Sequence, residues 1–229
     1  MEDNELKEKE PKKEFSFSTI KNFDDHILQS IPNYDLLFFS IYNMFPYFKD
    51  ESKVIYDIGC STGKLLQYLR RAGNYKGKMV GLDMAANLLP AKREDENIHY
   101  IKYDLNKDYI FDNACLIFSV FTLQFLQKDA RAKVIKNAYD GLCKGGAMIV
   151  AEKVFSETAI MQDIFTFAYY DFKRESFSAD QILNKERDLR TILKPYTSFD
   201  NQKMLIDAGF SYVEKFYKFF NFEAYLCIK

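Results

Sequence analysis

The stretch Asp57-Ile58-Gly59-Cys60-Ser61-Thr62-Gly63 constrains this chain more than any other. The apolar, β-favouring run Val54-Ile55-Tyr56 leads into it, and Leu65-Leu66-Gln67-Tyr68-Leu69 leads out with helical spacing. A strand, a glycine turn and a helix in that order build the ligand-binding corner of an open α/β sheet. Glycines let the backbone turn sharply and approach a ligand closely. The helix start then offers unpaired N–H groups and a positive dipole end. The acid before the turn would repel a pyrophosphate and suits a ligand that carries amine or hydroxyl donors.

At 229 residues the chain is sized for one α/β domain with a full core. Residues 1–14 are a charged run, read as a mobile tail, and residues 15–229 as a single domain. That run holds no apolar segment, so neither a signal peptide nor a membrane span is expected there. A net charge of −1 argues against tight RNA binding by this chain alone. Cys60, Cys115, Cys143 and Cys227 are far apart, and two histidines add little, so no metal site is expected. Reduced thiols fit the cytoplasm. The 22 Phe and 16 Tyr favour aromatic-lined pockets or interfaces.

Residues 15–48 precede the first strand and carry helical patterns, broken around Pro32. Strands are expected at 53–58, 78–83, 98–104, 114–121 and 147–151, with a helix starting at Met84 and another at 129–142, stopped by Gly145-Gly146. Alternation of short apolar runs with helices implies a parallel sheet. Residues 157–193 read as a helical insertion after strand five. A helix over 201–208 and strands at 212–217 and 221–228 close the chain, the last two as an antiparallel hairpin.

Several polar residues fall at strand ends. Asp83 ends strand two, where a carboxylate accepts from both ribose hydroxyls of a nucleoside; alone it reads as a helix N-cap. With the glycine turn it points to a nucleoside cofactor, and Asp57 before the turn leans that reading towards S-adenosylmethionine and away from NAD. Asp104 ends strand three, facing an adenine amine or serving as a turn residue, with Leu105 as an apolar wall. Phe121-Thr122-Leu123-Gln124-Phe125-Leu126 follows strand four and reads equally as core, with Gln124 a buried amide. Arg187 by itself belongs to a solvated helix face.

These stretches together resemble the carboxy-S-adenosyl-L-methionine synthases, a branch of the class I methyltransferases. The resemblance rests on Phe23-Asp24-Asp25 with Ser30-Ile31-Pro32-Asn33-Tyr34, on Tyr56 to Ser61, and on Thr122-Leu123-Gln124-Phe125. It extends through Glu152-Lys153, Asp171-Phe172-Lys173-Arg174, Lys185-Glu186-Arg187 and Phe220-Asn221-Phe222. It implies a Rossmann-like class I sheet, mostly parallel with an antiparallel C-terminal hairpin. It further implies a homodimer that converts S-adenosylmethionine and prephenate to carboxy-S-adenosylmethionine and phenylpyruvate. The product would pass to a separate carboxymethyltransferase acting on the tRNA wobble uridine.

By position, the resemblance puts Tyr34, Asp57, Gly59, Cys60, Ser61, Asp83, Met84, Asp104, Leu105 and Val120 at the cofactor. Arg187 is placed at the added carboxylate. A guanidinium repels a sulfonium but grips a carboxylate with two charge-assisted hydrogen bonds. Lys153, Lys173 and Arg174 are candidate contacts for anions or plain surface salt bridges. No general base is assigned. The chain departs from the family at Val120, where Asn is usual and Ser119 is a possible replacement, and at Gln29, where Arg is common. Two other readings stay open: an ordinary methyltransferase acting on a small molecule, and a binding subunit without catalysis.

Overall fold

The computed structural model describes residues 22–91 and 95–229. The expected tail at 1–14, and the start of the domain at 15–21, lie outside the described residues. Two helices come first, α1 (Phe23–Ser30) and α2 (Tyr34–Met44). Then follow β1 (Val54–Ile58), α3 (Lys64–Ala72), β2 (Lys78–Asp83), β3 (Ile98–Lys102), β4 (Ala114–Val120), α4 (Lys128–Gly141) and β5 (Leu142–Phe155). The insertion is a pair of helices, α5 (Ala159–Arg174) and α6 (Ala179–Ile192). A short β6 (Tyr196–Thr197), α7 (Ser198–Ala208), β7 (Tyr212–Phe219) and β8 (Phe222–Ile228) complete the chain.

The sheet order is β3-β2-β1-β4-β5-β8-β7, with β6 added beside β5. Strands β3, β2, β1, β4 and β5 pair in parallel, and β8 runs antiparallel to both β5 and β7. Helices cover both faces, so β1 is buried along Ile55–Ile58 rather than alternating with solvent. One face packs Ile55, Leu116 and Ile149 against Leu37 and Ile41 of α2 and Leu66 and Leu69 of α3. The other packs Tyr56, Ile58 and Val150 against Val134 and Ile135 of α4 and Leu205 of α7.

Two local expectations are corrected. No helix starts at Met84 among the described residues: the chain makes turns over 86–88, and Pro90 could not donate into a continuing helix. Gly145-Gly146 does not stop a helix. α4 ends at Gly141, where a Cβ would fall 2.4 Å from the Phe111 carbonyl oxygen. Gly145 lies inside β5 at φ 76, and Gly145 and Gly146 exchange backbone hydrogen bonds with Lys229.

The N-terminal helices are pinned over the sheet by long-range bonds. The Tyr169 hydroxyl donates to the Ser30 carbonyl at 2.8 Å, and the Tyr217 hydroxyl donates to the Pro32 carbonyl at 2.6 Å. Leu66 is fully buried, whereas Leu183 on α6 is 46% exposed. Leu66→Ala should therefore cost about 2–5 kcal/mol in denaturant unfolding, and Leu183→Ala within about 0.5 kcal/mol.

Candidate functional site

The carboxyl ends of the parallel strands open into a cleft of about 430 Å³, roofed by α1, α2, α5 and α6. Its geometry starts at the glycine turn. Gly59 sits at φ 74, and a Cβ there would fall 2.0 Å from Thr122 Oγ1, so both conformation and space require glycine. Ser61 takes the left-handed conformation at φ 49 without being glycine, and its buried Oγ has no hydrogen-bond partner among the described residues. A buried hydroxyl lining a cleft without a partner fits a ligand that supplies one. The Thr62 hydroxyl donates to Asp24 Oδ1 at 2.8 Å, tying the turn to α1. That tie explains why Phe23-Asp24-Asp25 belongs with the glycine turn.

Three carboxyl groups stand at the ends of three adjacent strands. Asp57, next to last in β1, is 3% exposed, and burial with the Asp83 charge beside it pushes its pKa up to about 8. Its carboxyl lines the cleft and meets no hydrogen-bond donor among the described residues. Asp83 accepts from the Ser61 backbone N–H through Oδ2 and from Ala85 N–H through Oδ1, each at 2.8 Å. It thus braces the turn instead of capping a helix. Asp104 closes a turn by accepting from Asn106 at 3.0 Å and 2.9 Å while also lining the cleft.

Apolar walls complete this half of the site. Met84, Leu105 and Val120 line it, as does the Cys60 thiol, held far above its usual range by burial and by Asp57 and Asp83. Tyr34 stacks its ring near Phe38 and Phe121, at 4.7 and 6.3 Å between centroids, and burial and Asp57 raise its hydroxyl pKa. Phe121 itself is held at φ 56, a strained setting for a bulky side chain that turns its ring into the cleft wall against Phe222. Ser119 does not replace a polar contact beside Val120. Strand alternation sends it to the other face, where it is fully buried and outside the cleft lining.

Behind the site lies a structural polar network. Gln124 is a buried amide whose Oε1 accepts from Lys153 N–H at 2.8 Å. Glu152 accepts from the Leu123 and Gln124 N–H groups, and burial pushes its pKa up to about 8 despite the nearby Arg131. None of these carboxyls faces a metal-ligand cluster: no group of three or more His, Cys, Asp or Glu positioned for a metal occurs among the described residues. No helix among them is long and apolar enough to cross a membrane.

The cationic candidates divide. Lys153 and Lys173 line the cleft and are largely buried, not surface salt-bridge partners. Arg174 is exposed and lies 3.9 Å from Asp171. Arg187 is also exposed, donates to Asn184 Oδ1 at 3.5 Å and is absent from the cleft of its own chain. The reason is helical geometry. Lys185, Leu189 and Ile192 of α6 face the cleft, and Arg187 is turned about 200° from Lys185. The sequence names Lys185 only within Lys185-Glu186-Arg187 and gives it no role of its own; its spacing of four from Leu189 is the signal that places it on the cleft side.

The methyltransferase domain family matches residues 55–146. The carboxy-S-adenosyl-L-methionine synthase of Staphylococcus epidermidis is 35% identical over 222 residues, covering 93% of this chain and 95% of that protein. The protein of the same name from Wolinella succinogenes is 34% identical, covering 98% of each. Among solved structures, a SAM dependent methyltransferase from Archaeoglobus fulgidus superposes with a TM-score of 0.59 at 13% identity, over 91% of this chain and 100% of that one. That likeness shows a shared fold.

Asp57 gives the site a pH signature. Its folded pKa is raised above the unfolded value of about 3.9. Its stabilising contribution is therefore complete below about pH 4 and lost as pH rises through about 8. Urea unfolding of the ligand-free protein should show stability falling from pH 5 to pH 8. Asp57→Asn should make that fall shallower by up to about 1.4 kcal/mol per pH unit; an unchanged slope would show that Asp57 is already ionised.

Proposed function

The chain belongs to the carboxy-S-adenosyl-L-methionine synthase family, and we propose that it converts S-adenosylmethionine and prephenate to carboxy-S-adenosylmethionine, phenylpyruvate and water. The observation that supports this most is the order of charge along the cleft. Acids stand at the ends of β3, β2 and β1, an uncharged wall follows at β4, and a lysine leaves β5. An ordinary methyl acceptor has no need of buried cations beside the methyl donor, whereas prephenate brings two carboxylates to the site.

In this reading Asp83 accepts from ribose hydroxyls with the lone pairs left after bracing Ser61 and Ala85. Asp104 faces the adenine amine, with Met84 and Leu105 against the ring. Asp57 meets the ammonium group of the methionine part, and Gly59, Cys60 and Ser61 pack beneath it. The unpartnered Ser61 hydroxyl and the glycine cradle are the features that fit this ligand. When bound, the cofactor supplies a methyl carbon acidified by its sulfonium. Prephenate loses its ring carboxylate and its hydroxyl on aromatising, so one carboxyl carbon is transferred and one water leaves. The protein's part is to orient the two molecules and exclude water with Tyr34, Phe121 and Phe222.

The wider reading is a cytoplasmic homodimer that hands its product to a tRNA carboxymethyltransferase without itself holding tRNA. Ile160, Ile164 and Phe167 leave an exposed apolar stripe along α5 that a second copy would cover. Arg187, turned away from its own cleft, serves the product carboxylate only from that second copy.

Incubation of the purified protein with S-adenosylmethionine and prephenate, followed by mass spectrometry of the nucleosides, tests the reaction. A carboxylated adduct and an equal amount of phenylpyruvate are expected. S-adenosylmethionine left intact would contradict it, and S-adenosylhomocysteine would mark an ordinary methyltransferase. Arg187→Ala should weaken the carboxylated cofactor about ten-fold more than S-adenosylmethionine in calorimetry; equal losses would remove Arg187 from the site.

A further inference from the structure

We infer that Lys153, Lys173 and Lys185 form a carboxylate receptor at the β5 end of the cleft, and that it grips the carboxylate prephenate keeps rather than the one it gives up. The inference rests on the reaction proposed above and supplies the residues that bind the keto acid.

The three lysines come from three elements, β5, α5 and α6, yet line one cleft. Lys173 is 3% exposed, and the Lys153 side chain 17%. Lysine is seldom buried to this extent without a counter-charge. Here the protein supplies mostly ring faces. Lys153 Nζ and Lys173 Nζ stand 4.8 and 5.3 Å from the centroid of the Tyr169 ring, and Lys173 Nζ is 5.8 Å from Phe177. Lys173 makes no ion pair among the described residues. Glu186 is the carboxylate that approaches Lys153, at 3.8 Å, which is too long for a hydrogen bond. That Glu186 oxygen is buried and has no hydrogen-bond partner among the described residues. Asp188 approaches Lys185 from its own helix.

Around Lys153 and Lys173, positive charge therefore exceeds the one carboxylate, Glu186, that faces them among the described residues, in a confined, partly apolar space. Burial lowers the pKa of all three lysines, and repulsion from Lys173 helps bring Lys185 down to about 8. An arriving carboxylate relieves both penalties. It is also turned away from the other end of the cleft, where the carboxylates of Asp83 and Asp104 repel it.

Chemistry decides which of the two carboxylates sits there. A carboxylate that departs as carbon dioxide surrenders its charge. A lysine paired with it would stabilise the ground state and lose that interaction on the way to the transition state. The keto-acid carboxylate survives in phenylpyruvate, so a cation can hold it throughout without opposing the reaction. The ring carboxylate is then left toward the uncharged wall of Val120 and Phe121. Val120, the departure from the family pattern, adds to that wall no donor that would anchor the leaving group.

Steady-state kinetics of Lys185→Gln, Lys173→Met and Glu186→Gln, with calorimetry of phenylpyruvate and S-adenosylmethionine, test the assignment. Both lysine variants should raise the KM for prephenate and the dissociation constant of phenylpyruvate in parallel, by about ten-fold, with S-adenosylmethionine affinity changed less than about two-fold. Glu186→Gln should shift the same two constants the opposite way, which a purely structural role would not do. Lys185 lies partly exposed at the rim, so its variant stands if Lys173→Met fails to fold. A raised KM with unaltered phenylpyruvate binding would put the lysines on the departing carboxylate and overturn the inference. Equal weakening of S-adenosylmethionine would overturn it too. Phenylpyruvate binding needs no turnover. A wild type that binds it through the lysines but fails to react would refute the proposed reaction and still support the receptor.

Discussion

A carboxyl group buried near the end of β1, with no donor to meet it among the described residues, is the constraint around which this molecule is arranged. Asp57 lies between a glycine turn that must approach Thr122 and a second acid, Asp83, that braces the same turn. Water is largely excluded, so the Asp57 carboxyl is held toward its protonated form until a cationic donor arrives. The fold tolerates that arrangement because β1 is flanked by β2 and β4 and covered by helices on both faces. The cost of burying the group is carried by the packing around it, and the group is thereby poised for a ligand.

The sheet order then lays out the rest of the cleft. Because β2 and β3 lie to one side of β1, and β4 and β5 to the other, strand-end residues far apart in sequence become neighbours in a row. Asp104, Asp83 and Asp57 occupy one side, Val120 the middle and Lys153 the far side. The helical insertion after β5 adds Lys173 and Lys185 above Lys153. In the proposed reaction, that order sends a nucleoside with hydroxyl and amine donors to one end and an acid with two carboxylates to the other.

Much of this was legible in the sequence, for physical reasons. β2 has the bounds its apolar run predicts, and the glycine turn is readable because its backbone conformation admits few residues. The C-terminal hairpin follows from two strand patterns joined by a short connection. What was not legible depends on neighbours. The segment after Asp83 has helical composition, yet the carboxylate captures the Ala85 N–H and Pro90 follows, so turns form instead. Gly145-Gly146 resembles a helix stop but pairs with Lys229 inside β5. Lys153 and Lys173 look like surface cations until the insertion folds over them. Arg187 and Lys185 are two positions apart, and only the packing of α6 decides which one meets the cleft.

A crystal structure of the protein with carboxy-S-adenosylmethionine and phenylpyruvate bound together bears most directly on this ordering of charge. The account predicts the ribose at Asp83, the ammonium group at Asp57, and the keto-acid carboxylate within hydrogen-bond distance of Lys153, Lys173 or Lys185. Phenylpyruvate lying with its carboxylate away from all three lysines, or the nucleoside seated at the β5 end, would contradict it.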